Sequence, residues 1–243
     1  MVDLPSTPPS LYVDAEGVNL SRHGTVSILQ IYHLPQDKVH LIDTFILGKT
    51  TFETPATAGK NKATNFKDVL EDPLIPKAFF DVRNDSDALY AKNGIHLAGI
   101  TDIQLLEVVI RDKYRGWLCG LSKCIDRDAD MYWCERNKAA AIKNHGKQLF
   151  SPDLGGSFEV FNARPMSADI MAYCAQDVRL PPKLWEVYTR RPALEGCREK
   201  VEMCTWARVD VCLEEEYDSS GLEKARSPGC LVGGDWDDDD EWM

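Results

Sequence analysis

The sequence has no hydrophobic run long enough to cross a membrane. A spanning helix needs about 20 predominantly apolar residues, and no segment of the 243-residue chain comes near that length. The opening segment, MVDLPSTPPS, is polar and proline-rich, and it lacks the basic and apolar regions of a secretory signal. We therefore expect an intracellular protein, nuclear or cytoplasmic, with no membrane partner.

Paired cysteine motifs are also missing. The chain has 8 cysteines but no CxxC pair. The spacing of its one cluster, formed by Cys119, Cys124 and Cys134, does not match that of a zinc site. Without a secretory signal, the cysteines are expected to be reduced thiols rather than a disulfide framework.

Basic residues are few relative to acidic ones, with 28 Lys and Arg against 39 Asp and Glu, for a net charge of −11. The acidity is uneven, because residues 214–243 carry −9 of this charge and the rest of the chain only −2. This composition argues against a polycation that coats nucleic acid by bulk charge. It does not argue against contacts made by a few local Lys and Arg side chains.

Apolar runs and turn residues predict an α/β fold. Strands alternate with helices up to about residue 111, and the pattern is mainly helical afterwards. Strands are predicted at residues 11–13, 25–32, 39–45, 75–82 and 100–103, with helices at 65–70, 84–92, 168–178 and 194–213. We expect a disordered leader at 1–9, a main domain at 10–192, a helical extension at 193–213 and a disordered acidic tail at 214–243.

Two carboxylates follow the first predicted strand. Asp14 and Glu16 are two residues apart, so on a strand they point to the same face. Carboxylates this close repel each other unless a cation lies between them. The alternative is an ordinary solvated strand end, since this spacing is common.

Two further motifs carry acidic residues on predicted helices. Tyr173 precedes Asp177 by four, so the two share a helix face where they could hold a water molecule; the alternative is an exposed helix face. Asp85 and Asp87 are two apart in VRNDSDAL and cannot share a face. Either one could simply cap its helix.

The three motifs, in this order, resemble those of the DEDD superfamily of 3′–5′ exonucleases. They read VDAEGVNLSRHG, KAFFDVRNDSDALYAKNGIHLAGITDIQLLE and RPMSADIMAYCAQDVRLPPKLWEVY. A Tyr four residues before the last Asp, with Ala172 where the other subtype has His, matches the subgroup of RNase D and Werner-type domains. The segment GKQLFSPDLGGSFEVFNARP looks like the eukaryotic, especially fungal, branch. Phe80 stands where RNase D-like enzymes often have His.

This resemblance covers about residues 10–192 and implies an RNase H-like mixed sheet flanked by helices. It implies a metal-dependent exonuclease that hydrolyses phosphodiester bonds from the 3′ end of RNA or single-stranded DNA, using two Mg²⁺ or Mn²⁺ ions. Counting back from Gly94 and Asp102 places the second-motif carboxylate on Asp85, with Asp87 as the fallback. The implied metal ligands are Asp14, Glu16, Asp85 and Asp177, and Tyr173 would position or deprotonate the attacking water. The alternative is a nucleic-acid-binding adaptor of the same fold without catalysis.

Basic side chains near these motifs are candidate contacts for the nucleic acid. The segment RNKAAAIKNHGK is the best of them, because it contains no acidic residue. For each residue the alternative is an ordinary solvated face. The candidates are Arg22, His23, Arg83, Arg136, Lys138, Lys143 and Lys147. The acidic tail could compete for the same groove, bind a protein partner or simply solvate the chain end.

Overall fold

Five strands form one mixed sheet in the computed structural model, which describes residues 7–57 and 64–232. The strand order is β3-β2-β1-β4-β5, with β1, β2 and β3 antiparallel and β1, β4 and β5 parallel. The strands are β1 Leu11–Glu16, β2 Ile28–His33, β3 Lys38–Ile42, β4 Lys77–Phe79 and β5 Ile100–Asp102. β1 is the central strand; it pairs with β2 along its whole length and with β4 at Leu11 and Tyr12.

Helices surround the sheet and dominate the second half of the described chain. The α-helices are α1 Thr44–Leu47, α2 Thr50–Glu53, α3 Phe66–Glu71, α4 Arg83–Asn93, α5 Ile103–Ile110, α6 Leu121–Asp128, α7 Trp133–Phe150, α8 Ala168–Arg179, α9 Pro181–Thr189, α10 Arg198–Asp210 and α11 Gly229–Val232. Short 3-10 helices lie at Leu34–Gln36, Pro152–Leu154, Phe158–Phe161, Pro192–Cys197, Val211–Leu213 and Leu222–Ala225. The predicted fold class, a mixed sheet flanked by helices with a more helical second half, is confirmed. In the described residues, no helix has the length and apolar character needed to cross a membrane.

Residues of β1 alternate between the two faces of the sheet. Val13 and Ala15 pack in one apolar cluster, with side chains of α3 and α4. Tyr12 packs in a second cluster on the other face, with α5 and α9. Asp14 and Glu16 belong to the Tyr12 face because side chains alternate with a period of two. Helix α10 contributes to both clusters through different residues.

The predicted strand at residues 39–45 ends early. Strand β3 stops at Ile42, and the Asp43 side chain then accepts a hydrogen bond from the Ile46 nitrogen at 3.1 Å. Asp at this position caps a helix, so residues 44–47 turn into α1. The segment that follows contains another short helix, α2.

Part of the predicted acidic tail is ordered against the rest of the protein. Two backbone hydrogen bonds hold it, from Leu118 N to Ala225 O at 2.8 Å and from Ser227 N to Gly116 O at 2.9 Å. Leu231 is buried in the core. The prediction of a disordered tail is therefore wrong for residues 214–232, because these contacts hold the segment in place despite its acidic composition. Residues 1–6 of the predicted leader and 233–243 of the tail lie outside the described residues.

One buried ammonium joins α3 to the sheet. Lys77 of β4 is fully buried, and its Nζ donates to the carbonyl oxygens of Val69 at 2.9 Å, Asp72 at 2.9 Å and Ile75 at 2.7 Å. Since unpaired buried carbonyls are costly, these three bonds let the chain turn from α3 into β4 inside the core.

One buried carboxylate holds the turn between β4 and α4. Asp102 accepts hydrogen bonds from the backbone nitrogens of Asp81 at 2.9 Å, Val82 at 3.2 Å and Gln104 at 3.0 Å. Arg208 Nη1 of α10 also donates to Asp102, at 2.6 Å. Asp81 has a φ of 65°, which is uncommon for a residue other than glycine. The Asp102 network thus fixes where α4 begins.

Candidate active site

Three carboxylates meet where β1 ends. Asp14 and Glu16 come from β1 and Asp177 from α8, and each offers an oxygen within 4.8 Å of the others. Helix α8 packs on the sheet because Ile170 and Cys174 are buried in a cluster with Ile28 of β2. Asp177 lies on that same helix face, and burial leaves it 7% exposed.

Crowding and burial make these carboxylates hard to ionise together. Burial, and then the charge of Asp177, raises the pKa of Asp14 to about 7. The pKa of Glu16 is raised well above its usual value, first by burial and then by Asp14 and Asp177. A cation placed among them would relieve this repulsion.

An ammonium group lies among the three carboxylates. Lys143 of α7 places Nζ 2.6 Å from Asp177 Oδ2 and 3.1 Å from the Tyr173 hydroxyl oxygen. Burial opposes its charge, but Asp177 and Glu16 outweigh this effect and raise the Lys143 pKa. Lys143 therefore supplies one positive charge at the point where the carboxylates converge.

Tyr173 lies between aromatic rings and a glycine of α7. Its ring centroid is 5.0 Å from that of Phe150 and 6.5 Å from that of Phe161. On its other side is Gly146, where an added Cβ would lie only 2.4 Å from Tyr173 Cδ2. Burial, and then Glu16 and Asp177, raises the Tyr173 pKa well above its usual value, so the hydroxyl keeps its proton.

The structure distinguishes Asp85 from Asp87, which occupy different surroundings near the start of α4. Asp85 is 4% exposed, and its Oδ1 has no hydrogen-bond partner. Burial, and then the charges of Asp14 and Asp81, raises its pKa well above the usual value. Asp87 instead accepts hydrogen bonds from the Arg22 backbone nitrogen at 2.6 Å and from Arg22 Nε at 2.7 Å. Asp85 lies outside the group of three carboxylates, yet it alone of this pair has an oxygen available for a ligand.

The three carboxylates, Lys143 and Tyr173 line a cleft of about 190 Å³. Phe80 contributes to its wall, so the aromatic ring at this position borders the reacting groups. The lining residues include Tyr12, Asp14, Glu16, Phe80, Leu121, Lys143, Tyr173, Asp177 and Pro181.

Three of the predicted nucleic-acid contacts have internal partners. Besides Asp87, Arg22 binds the carbonyls of Val211 at 3.1 Å and Glu215 at 3.0 Å. The Arg83 guanidinium pairs with Asp81, at 2.6 Å from its Nε. Arg136 donates to carbonyl oxygens at the end of α6, including that of Ala129 at 2.8 Å. The geometry gives these three guanidinium groups roles in holding neighbouring segments together.

The other predicted contacts differ in exposure. His23, Lys138 and Lys147 are exposed. Lys143 lies in the cleft, and its place among the carboxylates was not evident in the sequence. Gly146 was also missed, although a glycine inside a helix costs about 1 kcal/mol relative to alanine. An unfavourable glycine at this position was therefore the sequence signal that another side chain approaches the helix closely at residue 146.

The family model described as 3′–5′ exonuclease matches residues 3–187 of the chain. The chain belongs to this 3′–5′ exonuclease family. The predicted family is therefore confirmed, and membership makes the domain a nuclease domain. Members of this family typically use divalent metals.

Solved structures show the same fold at low sequence identity. The structure of Trypanosoma brucei RNase D in complex with RNA U12 is 18% identical, with a TM-score of 0.71, over 93% of this chain and 72% of that chain. Brucella melitensis NrnC bound to pGG is 18% identical, with a TM-score of 0.58, over 91% of this chain and 95% of that chain. NrnC has also been solved with bound Mg²⁺, at a TM-score of 0.55.

Two curated relatives match a shorter stretch. The piRNA biogenesis protein EXD1 of Mus musculus and that of Homo sapiens are each 34% identical over 99 residues, which is 41% of this chain. The match spans only 15% of the mouse protein and 17% of the human one.

Proposed function

We propose that this protein is a metal-dependent 3′–5′ exonuclease that hydrolyses phosphodiester bonds from the 3′ end of RNA or single-stranded DNA. The observation that carries the proposal is the convergence of Asp14, Glu16 and Asp177 beside the Tyr173 hydroxyl. Membership in the exonuclease family supports it. The RNA and pGG bound to the two structural neighbours support a nucleic-acid partner.

The donor set fits two divalent cations, Mg²⁺ or Mn²⁺. Hard cations of this kind prefer carboxylate oxygens, and Asp14, Glu16 and Asp177 offer them within one cleft. Asp85 adds a buried oxygen without a partner, and we assign it to the second cation. Bound cations would lower the pKa of a water molecule and stabilise negative charge on the phosphate oxygens.

Two residues of the chain would handle the water and the phosphate. The Tyr173 hydroxyl, whose pKa is raised first by burial, is placed to orient the attacking water by a hydrogen bond. Its ring cannot shift easily because Phe150 and Gly146 contact it. Asp177 is both a proposed cation ligand and the ion-pair partner of Lys143. A phosphate bound to that cation would therefore lie close enough for the Lys143 ammonium to bind one of its oxygens.

The test uses single-stranded RNA and DNA oligonucleotides labelled at the 5′ end, with Mg²⁺ or Mn²⁺ and with or without EDTA. We expect stepwise shortening from the 3′ end that EDTA stops. Asp177→Asn should reduce this rate by 100-fold or more, because it removes a proposed cation ligand; the figure is of order 10²–10³ for loss of one stabilising group. Asp169→Asn is the matched control, since Asp169 is an exposed carboxylate of the same helix that pairs with His145. Shortening that persists in EDTA, or that survives Asp177→Asn, would contradict the proposal.

A second candidate function is a nucleic-acid-binding adaptor without catalysis. The observation that favours it is the Lys143 ammonium, which already neutralises part of the carboxylate charge at 2.6 Å from Asp177. An adaptor would retain the labelled strand in a gel-shift assay without shortening it in either metal. The same experiment therefore separates the two functions.

A further inference from the structure

Two cysteines far apart in the sequence bring their sulfur atoms together. Cys204 lies in α10 and Cys230 in α11, 26 residues later, and their Sγ atoms are 2.6 Å apart. Non-bonded carbon atoms prefer about 3.5–4.0 Å, and sulfur is larger than carbon. Both cysteines are free, and a disulfide bond is about 2.05 Å long, so the two sulfurs lie within reach of each other for bond formation.

The surrounding structure holds both cysteines in place. Cys204 is buried in the core, in the same apolar cluster as Leu231, the residue that follows Cys230. Before α11, the chain is fixed by the hydrogen bond from Ser227 N to Gly116 O. The approach of the two sulfurs therefore follows from contacts on both sides of Cys230.

From this geometry we propose that Cys204 and Cys230 are a modification site, a dithiol that small disulfides such as oxidised glutathione convert reversibly into a disulfide. The proposal does not depend on the proposed nuclease activity. It is compatible with reduced thiols in a reducing compartment, because thiol–disulfide exchange runs in both directions.

The two sulfurs differ in solvent exposure, and this difference sets the order of the two thiol–disulfide exchange steps. Cys230 is exposed and Cys204 is buried. Burial, and then Cys230, raises the pKa of Cys204 to about 12, so Cys204 is a thiol before the reaction begins. The Cys230 thiolate attacks one sulfur of the small disulfide, breaks its S–S bond and releases the first small thiol. Cys204 then gives up its proton and attacks the Cys230 sulfur, which releases the second small thiol. The two electrons lost by the cysteines reduce the small disulfide to two thiols.

The new bond would close a ring around a segment that contacts the first turn of α4. Within that ring, Tyr217 donates from its hydroxyl to Asn84 Oδ1 at 3.2 Å, and Lys224 Nζ donates to the same oxygen at 2.5 Å. Asn84 immediately precedes Asp85 in α4. The disulfide would therefore fasten residues 211–228 beside the second-motif carboxylate, whereas in the dithiol form only non-covalent contacts hold them.

The experiment treats the full chain with oxidised glutathione, blocks the remaining thiols and digests with trypsin without reductant. Trypsin cuts after Lys200, Arg208 and Arg226, so the expected product joins peptide 201–208 to peptide 227–243. Its mass should be about 2 Da below the sum of the two peptides, because two hydrogens leave, and dithiothreitol should separate them.

Cys230→Ser is the test variant, because Cys230 is exposed and its loss leaves the core intact. It should abolish the cross-linked peptide. Cys134→Ser is the matched control, since Cys134 is also exposed, and it should leave the peptide unchanged. Glutathione that stays on Cys230 without cross-linking would overturn the proposal, and so would a cross-link from Cys230 to Cys197 or Cys212.

Discussion

Replacing Gly146 by alanine should slow the nuclease far more than it destabilises the fold. The new Cβ would lie 2.4 Å from Tyr173 Cδ2 and 2.7 Å from Cγ. Carbon atoms need about 3.5 Å, so the ring must move by about 1 Å. A misplacement of about 1 Å can cost roughly 100-fold in rate, which corresponds to about 2.7 kcal/mol of transition-state stabilisation.

The effect on stability should be smaller because two contributions oppose each other. Overpacking a core costs about 1–3 kcal/mol, while alanine in place of glycine inside a helix contributes about 1 kcal/mol. We expect the free energy of unfolding to fall by about 0–2 kcal/mol, from the same two contributions. Urea unfolding measures this quantity, and single-turnover shortening of a labelled oligonucleotide measures the rate.

Two further variants make the result specific to Tyr173. Gly196→Ala is the matched control, since an added Cβ there meets nothing within 4 Å, and it should keep the wild-type rate. In a Tyr173→Phe background, Gly146→Ala should cost much less than it does alone, because substitutions that act through one group are not additive. A wild-type rate for Gly146→Ala, or full additivity with Tyr173→Phe, would refute the reasoning.

Other substitutions test the second motif and the core. Asp85→Asn should keep the free energy of unfolding, because Oδ1 has no partner and burial opposes its charge, but it should lower the metal-dependent rate by about 10–100-fold. Asp87→Asn should do the opposite: breaking the buried pair with Arg22 should cost about 3 kcal/mol in urea unfolding, while the folded protein keeps its rate. If the two variants exchanged these effects, Asp87 would be the second-motif carboxylate. Lys77→Met should lower the free energy of unfolding by about 3 kcal/mol or more, because three buried carbonyls lose their donor; an unchanged urea midpoint would contradict this.

Local periodicity predicted the part of the candidate site that depends on local geometry. The two-residue spacing of Asp14 and Glu16 placed them on one face of β1, and the four-residue spacing of Tyr173 and Asp177 placed them on one face of α8. Neither prediction needed knowledge of distant contacts, because strand and helix geometry decide which side chains are neighbours.

Long-range pairing explains what the sequence did not predict. Arg22 was expected to face the nucleic acid, but its partner Asp87 lies 65 residues away in the chain. The position of Lys143 inside the cleft depends on Asp177, which lies 34 residues away. The order of residues 214–232 depends likewise on backbone bonds to residues 116 and 118. Composition reports a segment's charge, but it carries no information about such partners.

The buried Arg208 ion pair links helix α10 to the second-motif segment of the exonuclease-family domain. Family resemblance ends near residue 192, yet Arg208 of α10 is the partner of Asp102, which holds the start of α4. The same helix buries Val201 in one core cluster and Val209 in the other. A domain cut at residue 192 would therefore lack a buried partner of Asp102 and core side chains on both faces of the sheet, although no residue of α10 lines the cleft.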